Sequence, residues 1–212
     1  VNACCRCLAV GSLPLEYDAD GNLVRGFHRY RGEYDCENRL IRLDSPDIRL
    51  EFSYDYRGRC WSRRRYAPDR DGAWTLRDET RFLYDGDRLL AEYRMTEGIP
   101  VLEQSYVWAP PSSPDLLRMV PLWSSRGAEY RFYFADDTGA VLFLLDETGA
   151  VNAAYDYAPD GSVINASGRD ALRNPWRQSA IGYTDSETGL VLTPGGLWYS
   201  PELGELLSGV DM

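Results

Sequence analysis

Histidine is almost missing from this chain: His28 is the only one in 212 residues, and no Gly-x-Ser-x-Gly run occurs. A nucleophilic triad needs a base beside its nucleophile, so that chemistry has little to draw on. His28 sits in the strand-like stretch Phe27 to Tyr30 and reads as a sheet residue rather than a base. No run of about twenty apolar residues is present, and no membrane span is expected. The amino end lacks the basic, apolar and small-residue sections of a secretory signal. Val1 is an odd first residue, so a fragment or tail of a longer polypeptide is expected, and the missing signals describe this segment alone. Basic residues are outnumbered: 23 Lys and Arg against 33 Asp and Glu leave a net charge of −10. Such a surface repels a phosphate backbone, which argues against nucleic acid. Arg63-Arg64-Arg65 is a local exception, expected to be an exposed strand face, with binding of an acidic partner as the alternative.

The cysteines are Cys4, Cys5, Cys7, Cys36 and Cys60, an odd count that leaves at least one thiol free. Three crowd the amino end, but a structural zinc site usually needs two spaced ligand pairs, and Cys36 and Cys60 stand alone. No metal and no cofactor are expected. Helical periodicity is also lacking over any long stretch. Asp170-Ala171-Leu172-Arg173, just before Asn174-Pro175, could form a helical turn.

What the chain does have is a repeated pair, Tyr-Asp, followed by a turn residue. It occurs at Tyr17-Asp18 with Gly21, Tyr34-Asp35 with Asn38, Tyr54-Asp55 with Gly58, Tyr84-Asp85 with Gly86, and Tyr155-Asp156 with Gly161. An aspartate after a strand can accept backbone N–H groups two residues on, closing an Asx-type turn. Glycine, or less often asparagine, supplies the positive φ of a tight hairpin. The tyrosine can bury its ring while its hydroxyl reaches a polar partner. Copied at intervals, this is the mark of a strand-turn-strand unit that stacks on its neighbours.

The flanking runs alternate as strands do. Leu50, Phe52, Tyr54 and Tyr56 share one face, with Glu51, Ser53 and Asp55 opposite. Tyr130, Phe132 and Phe134 repeat the pattern against Arg131 and Tyr133. Val141 to Leu145 is unbroken and apolar, as expected of a strand covered on both faces. The fold expected is all-β: stacked antiparallel hairpin repeats in a curved or spiral sheet. Residues 1–14 are expected to be a lead-in and 15–108 the repeated strands. Residues 109–128 form a proline-rich connection that opens with Ala109-Pro110-Pro111-Ser112-Ser113-Pro114, and 129–212 form a final region of different character.

These residues resemble the YD-repeat, or Rhs, family and its repeat-associated core. Tyr17 to Val24 and Tyr34 to Leu43 look like two typical repeats; Leu50 to Arg59 and Thr80 to Tyr93 are similar to the next two. Asp137, Asp146 to Val163, Asn174 to Arg177, Tyr183 to Leu190 and Trp198 to Gly204 follow the running order of the core. The resemblance implies a hollow shell of wound hairpins that encloses a C-terminal toxin cargo or makes cell-surface contacts. It also implies secretion or surface exposure, and neighbouring YD-repeat segments or cargo as partners. In many members an aspartyl self-cleavage beyond the core frees the cargo. Here Gly204 is followed by Glu205-Leu206-Leu207-Ser208-Gly209-Val210-Asp211-Met212, without the arginine, aromatic and Asp-Pro that relatives carry, so that activity does not carry over.

These residues are compatible with three functions. A non-catalytic structural and interaction module gives the tyrosines and turn aspartates scaffold roles only. A carbohydrate-binding surface would use Trp61, Trp74, Trp108, Trp176 and Trp198 as platforms, although tryptophan is more often mostly buried. A remnant of an aspartyl self-processing core would need a close pair of carboxylates, and only Asp211 lies near that end. Open sheet edges recruit other strands. Self-association is therefore expected, with Tyr199 to Leu207 as the contact.

Overall fold

A computed structural model describes residues 9–10, 13–26, 30–110, 121–158, 162–177 and 182–209. Among them are twenty strands and no helix. A small hairpin of β1 (Ala9–Val10) and β2 (Leu13–Pro14) comes first. Seven strands follow: β3 (Glu16–Tyr17), β4 (Leu23–Arg25), β5 (Arg31–Tyr34), β6 (Leu40–Asp44), β7 (Arg49–Tyr54), β8 (Cys60–Pro68) and β9 (Trp74–Asp85). Then come β10 (Arg88–Thr96), β11 (Ile99–Trp108), β12 (Pro121–Arg126), β13 (Glu129–Ala135), β14 (Val141–Leu145), β15 (Val151–Tyr157) and β16 (Val163–Ser167). Four short strands finish the chain: β17 (Tyr183–Thr184), β18 (Val191–Leu192), β19 (Trp198–Ser200) and β20 (Glu205–Leu206). From β3 to β16 every strand bonds to its neighbours in sequence, in one 14-stranded order. The all-β class and the stacked hairpins expected from the sequence are the fold observed.

The chain divides into two compact units, residues 1–79 with 196–212, and residues 80–195. In the first unit Leu23, Leu40, Leu43, Leu50, Phe52 and Cys60 are buried from successive strands, with Trp198 and Leu207 of the carboxyl-terminal segment. In the second, Val141, Leu144, Ala153, Tyr155 and Ala171 form a buried cluster, with Tyr133, Tyr157 and Ala166 against it. Residues 170–174 make one turn, closed by Asn174 N–H donating to the Asp170 carbonyl at 3.0 Å.

Four expectations are corrected here. Tyr130, Phe132 and Phe134 do share a face, but it is the exposed one, while Arg131 and Tyr133 point to the better-buried side. Alternation divides a strand into two faces; what packs on each face is settled by other segments. Phe143 is exposed, so β14 is covered on one face only. Arg63 is 9% exposed and Arg64 and Arg65 are half-buried, because β9 supplies acidic partners within the chain. Arg64 Nε donates to Glu79 at 3.3 Å, and Arg63 and Arg65 approach Asp78. Finally, Tyr199 to Leu207 is not an open edge. Tyr199 pairs with Leu206, Ser200 and Leu207 are buried, and Leu23 N–H donates to the Leu207 carbonyl at 2.8 Å.

Candidate functional site

Among the described residues six hairpin loops share one construction, five residues long with aspartate first and glycine or asparagine fourth. They begin at Asp18, Asp35, Asp55, Asp69, Asp136 and Asp146. In the Asp55 loop the Asp55 N–H donates to the Arg59 carbonyl at 2.9 Å, and Gly58 N–H donates back to the Asp55 carbonyl at 3.0 Å. Asp55 Oδ1 then accepts the N–H groups of Arg57 at 2.9 Å and Arg59 at 3.1 Å. The same pair of carboxylate bonds recurs at the other five aspartates. The fourth residue is left-handed every time: φ is 82° at Gly21, 59° at Asn38, 79° at Gly58, 81° at Gly72, 83° at Gly139 and 83° at Gly149. The carboxylate thus satisfies two N–H groups that the tight bend takes out of the ladder.

Electrostatics follow from these bonds. Burial works against the charged forms of Asp35 and Asp55, but the arginine four residues on and the loop N–H groups outweigh it and lower both pKa values. At Asp136 the Thr138 hydroxyl contributes most to the lowering, and at Asp146 the hydroxyl of Thr148 and the amide of Asn152 do so.

The structure places three of the five Tyr-Asp pairs at the head of such loops, Tyr17-Asp18-Gly21, Tyr34-Asp35-Asn38 and Tyr54-Asp55-Gly58. The other two lie elsewhere. Tyr84-Asp85 leads into a two-residue loop, Gly86-Asp87, and Asp85 pairs across the ladder with Arg88. Tyr155 and Asp156 lie inside β15, where Asp156 faces Asn165 and accepts its amide at 3.2 Å. The loop starts two residues later, since Ala158 N–H donates to the Ser162 carbonyl at 2.8 Å. Gly161, like Cys4, Cys5, Cys7, His28 and Asp211, lies outside the described residues. Asp69, Asp136 and Asp146 were missed because no tyrosine precedes them. The signal that finds them is the spacing Asp-x-x-Gly/Asn, which Asp85 and Asp156 lack.

The tyrosine has its own task, one hairpin back. Tyr34 Oη donates to the Leu23 carbonyl at 2.9 Å, Tyr54 Oη to the Leu40 carbonyl at 2.7 Å and Tyr157 Oη to the Val141 carbonyl at 2.8 Å. Each acceptor is the first residue after the preceding loop at the same end of the sheet. At Tyr34 and Tyr54 the following aspartate closes a loop and the tyrosine ties that loop to the one before; Tyr157 makes the same tie ahead of the loop that starts at Ala158.

In the first unit the carboxyl-terminal segment packs onto this row of loops. Trp198 Nε1 donates to Tyr54 Oη at 3.0 Å, and its ring centroid lies 4.7 Å from that of Phe52. Gly209 N–H donates to the buried Asn22 Oδ1 at 2.7 Å, while Asn22 Nδ2 donates to Asp18 at 2.9 Å and Asn38 at 3.0 Å. A Cβ on Gly196 would fall 1.9 Å from the Gly58 carbonyl oxygen, and one on Gly209 1.8 Å from that of Asp20.

In the second unit Trp176 sits among Tyr106, Trp108 and Tyr183, with ring centroids 5.6, 4.9 and 5.8 Å away and near-perpendicular planes. Beneath them the buried Glu92 carboxylate accepts the hydroxyls of Tyr106 and, at 3.0 Å, Tyr183. Burial and that carboxylate push the Tyr106 hydroxyl well above its ordinary pKa. None of the five tryptophans that could serve as sugar platforms is exposed: Trp176 and Trp198 are buried, and Trp61, Trp74 and Trp108 are half-buried. No group of three His, Cys, Asp or Glu able to hold a metal occurs among the described residues.

The opposite face of the second unit's sheet is apolar and open. One row runs across five strands, Val107, Trp123, Phe132, Leu145 and Val151, each paired directly with the next. Phe134 pairs with Phe143 beside it. Phe132 is 39% exposed, Phe134 51%, Phe143 44% and Val151 57%, which for side chains this large is a substantial loss of apolar burial.

No protein-family model matches the chain. It is 32% identical over 225 residues to the double-stranded DNA deaminase toxin A of Burkholderia cenocepacia (strain H111), covering 96% of this chain and 15% of that protein. Toxin protein Tse5 of Pseudomonas aeruginosa is 30% identical over 91% of this chain and 16% of its own length. Salivary gland surface protein 1 of Aedes aegypti is 28% identical over 90% of this chain and 6% of its own. The chain thus spans a small part of the relatives it matches. Among solved structures, a Photorhabdus luminescens Tc holotoxin pore with a mutated TccC3 aligns over 92% of this chain and 9% of its own, with a TM-score of 0.56 and 17% identity. TcdB2-TccC3 without its hypervariable C-terminal region aligns over 94% and 9%, with a TM-score of 0.50 and 18% identity. In sequence the chain is similar to toxin proteins, and in fold to components of a toxin complex.

Proposed function

We propose that this chain is a non-catalytic wall module of a YD-repeat (Rhs) shell, a container for a toxin polypeptide at the cell surface or in secreted form. The observation that carries the reading is the open apolar face of β11 to β15. A solvated sheet face is normally polar; aromatic rows left uncovered mark a surface that meets another apolar chain. The loops and tyrosine ties fit the same role, since each stiffens a hairpin and none presents a reactive group. The toxin relatives support the setting, and the matched surface protein fits a contact role at a cell surface. Neighbouring repeats and the enclosed polypeptide are the partners, and the net charge of −10 makes nucleic acid a poor one.

The test uses reduced, carboxymethylated α-lactalbumin, a permanently unfolded chain, as the stand-in cargo. Saturable binding that is lost in Phe132→Ser/Phe143→Ser, with an unchanged melting temperature, is the expected result. Absence of binding, or equal binding by the variant, overturns the reading.

A further inference from the structure

The buried side of the second unit's sheet holds a polar cavity of about 50 Å³ under the turn at 170–174. A single water needs roughly 10–15 Å³ of such space, so there is room for a few waters or one compact group. The lining includes three arginines, Arg126, Arg131 and Arg173, against two carboxylates, Glu129 and Asp170. Arg131 is paired with both carboxylates and Arg126 with Glu103, which leaves Arg173 as the uncompensated charge of the lining.

Both carboxylates of this cavity are already engaged, whereas Ser124, Asn174 and Arg173 each keep a donor unused among the described residues. Arg131 Nε donates to Asp170 Oδ2 at 2.5 Å, and Arg131 Nη2 donates to Glu129 Oε2 at 2.7 Å. Arg169 Nη2 adds a second bond to Glu129 at 2.9 Å. Ser124 Oγ accepts Tyr133 Oη at 3.3 Å, which leaves its own proton to give. Asn174 is 4% exposed; its Oδ1 accepts the Trp176 N–H at 3.1 Å, but its Nδ2 has no hydrogen-bond partner. The Tyr155 hydroxyl feels the Asn174 amide, yet that hydroxyl donates to the Ala171 carbonyl at 2.8 Å and no hydrogen bond joins it to Nδ2. Arg173, at the mouth, has no ion pair among the described residues. A buried amide N–H without an acceptor calls for a ligand or solvent to supply one. The uncompensated Arg173 favours a charged acceptor over a neutral one.

We propose that this cavity binds a carboxylate group, held by Asn174 Nδ2, Ser124 Oγ and the guanidinium of Arg173. Arg131 holds the floor rigid through Asp170 and Glu129. The site is independent of the apolar face on the other side of the sheet. The carboxylate belongs either to a small free acid or to an acidic side chain of a polypeptide.

The experiment follows the Asn174 side-chain amide by ¹H–¹⁵N NMR while sodium acetate is titrated in, with sodium chloride as the matched control. N-acetyl-glutamate amide is titrated in a second arm. Saturable movement of that amide with acetate, absent with chloride, is expected. Saturation by acetate alone assigns a free small acid, and saturation by both assigns a side chain. Arg173→Gln, an exposed change that leaves the core intact, weakens the affinity about tenfold, the loss expected for one charge-assisted bond. Asn174→Leu abolishes the acetate response, followed there through the Arg173 Nε signal, and Arg25→Gln changes nothing. A linear response matching chloride, or acetate binding indifferent to Arg173→Gln, overturns the proposal and leaves ordered water as the occupant.

Discussion

Gly58 and Gly196 meet across one contact, and substitutions at the two separate backbone strain from steric exclusion. Gly58 has φ 79° and a Cβ there would touch nothing within 4 Å. Its replacement therefore costs only the left-handed backbone, about 1–3 kcal/mol for a β-branched residue. Asparagine already fills the same loop position at Asn38, with φ 59°. Gly58→Asn should therefore cost less than about 1 kcal/mol, because asparagine tolerates this region. Gly196 has the same φ of 79°, but its Cβ would lie 1.9 Å from the Gly58 carbonyl oxygen. No side chain can swing aside there; a backbone must move. Gly196→Ala therefore carries the strain term plus displacement of the carboxyl-terminal segment, and should exceed Gly58→Val despite the smaller side chain. In a chain of this size each kcal/mol moves the melting temperature by about 2–4 °C. Differential scanning calorimetry should rank the losses Gly58→Asn, Gly58→Val, Gly196→Ala in rising order. A Gly196→Ala melt milder than that of Gly58→Val would refute the steric reasoning, and equal melts for the two Gly58 variants would refute the strain.

Other outcomes follow from the same geometry. Asp55→Ala orphans two loop N–H groups and should cost about 1–2 kcal/mol, whereas Asp85→Ala should stay within about 0.5 kcal/mol; urea titration compares them. Tyr54→Phe removes both a donor to Leu40 and the acceptor of Trp198 Nε1, and should cost about 1–3 kcal/mol by the same measurement. The lowered pKa values of Asp35, Asp55 and Asp136 mean that their contribution is complete above about pH 4 and is lost as pH falls through the lowered values. Urea midpoints should therefore be flat from neutral pH to about pH 5 and drop below about pH 4, less steeply in Asp136→Asn. An unaltered pH profile in that variant would remove the carboxylate cap from the explanation.

What the sequence determined by itself was local. Alternation pointed to strands, and the residue types at Asp18, Asp35 and Asp55 pointed to a carboxylate-closed bend with a glycine or asparagine at positive φ, because both depend on a few adjacent side chains. Even there the tyrosine was a misleading guide, since its bond goes to the previous hairpin and Asp69, Asp136 and Asp146 close their loops without one. Only the tertiary structure decided which face of β13 is covered. The 170–177 segment packs on the Tyr133 side and leaves Phe132 in the open. It also decided that Tyr199 to Leu207 folds back onto the first hairpins instead of forming an edge. The polar cavity was likewise invisible, because Ser124, Arg131, Asp170 and Asn174 are scattered in sequence and meet only when the turn at 170–174 lies on the sheet. Nearest-neighbour chemistry writes strands and bends; packing between distant segments assigns each face its partner.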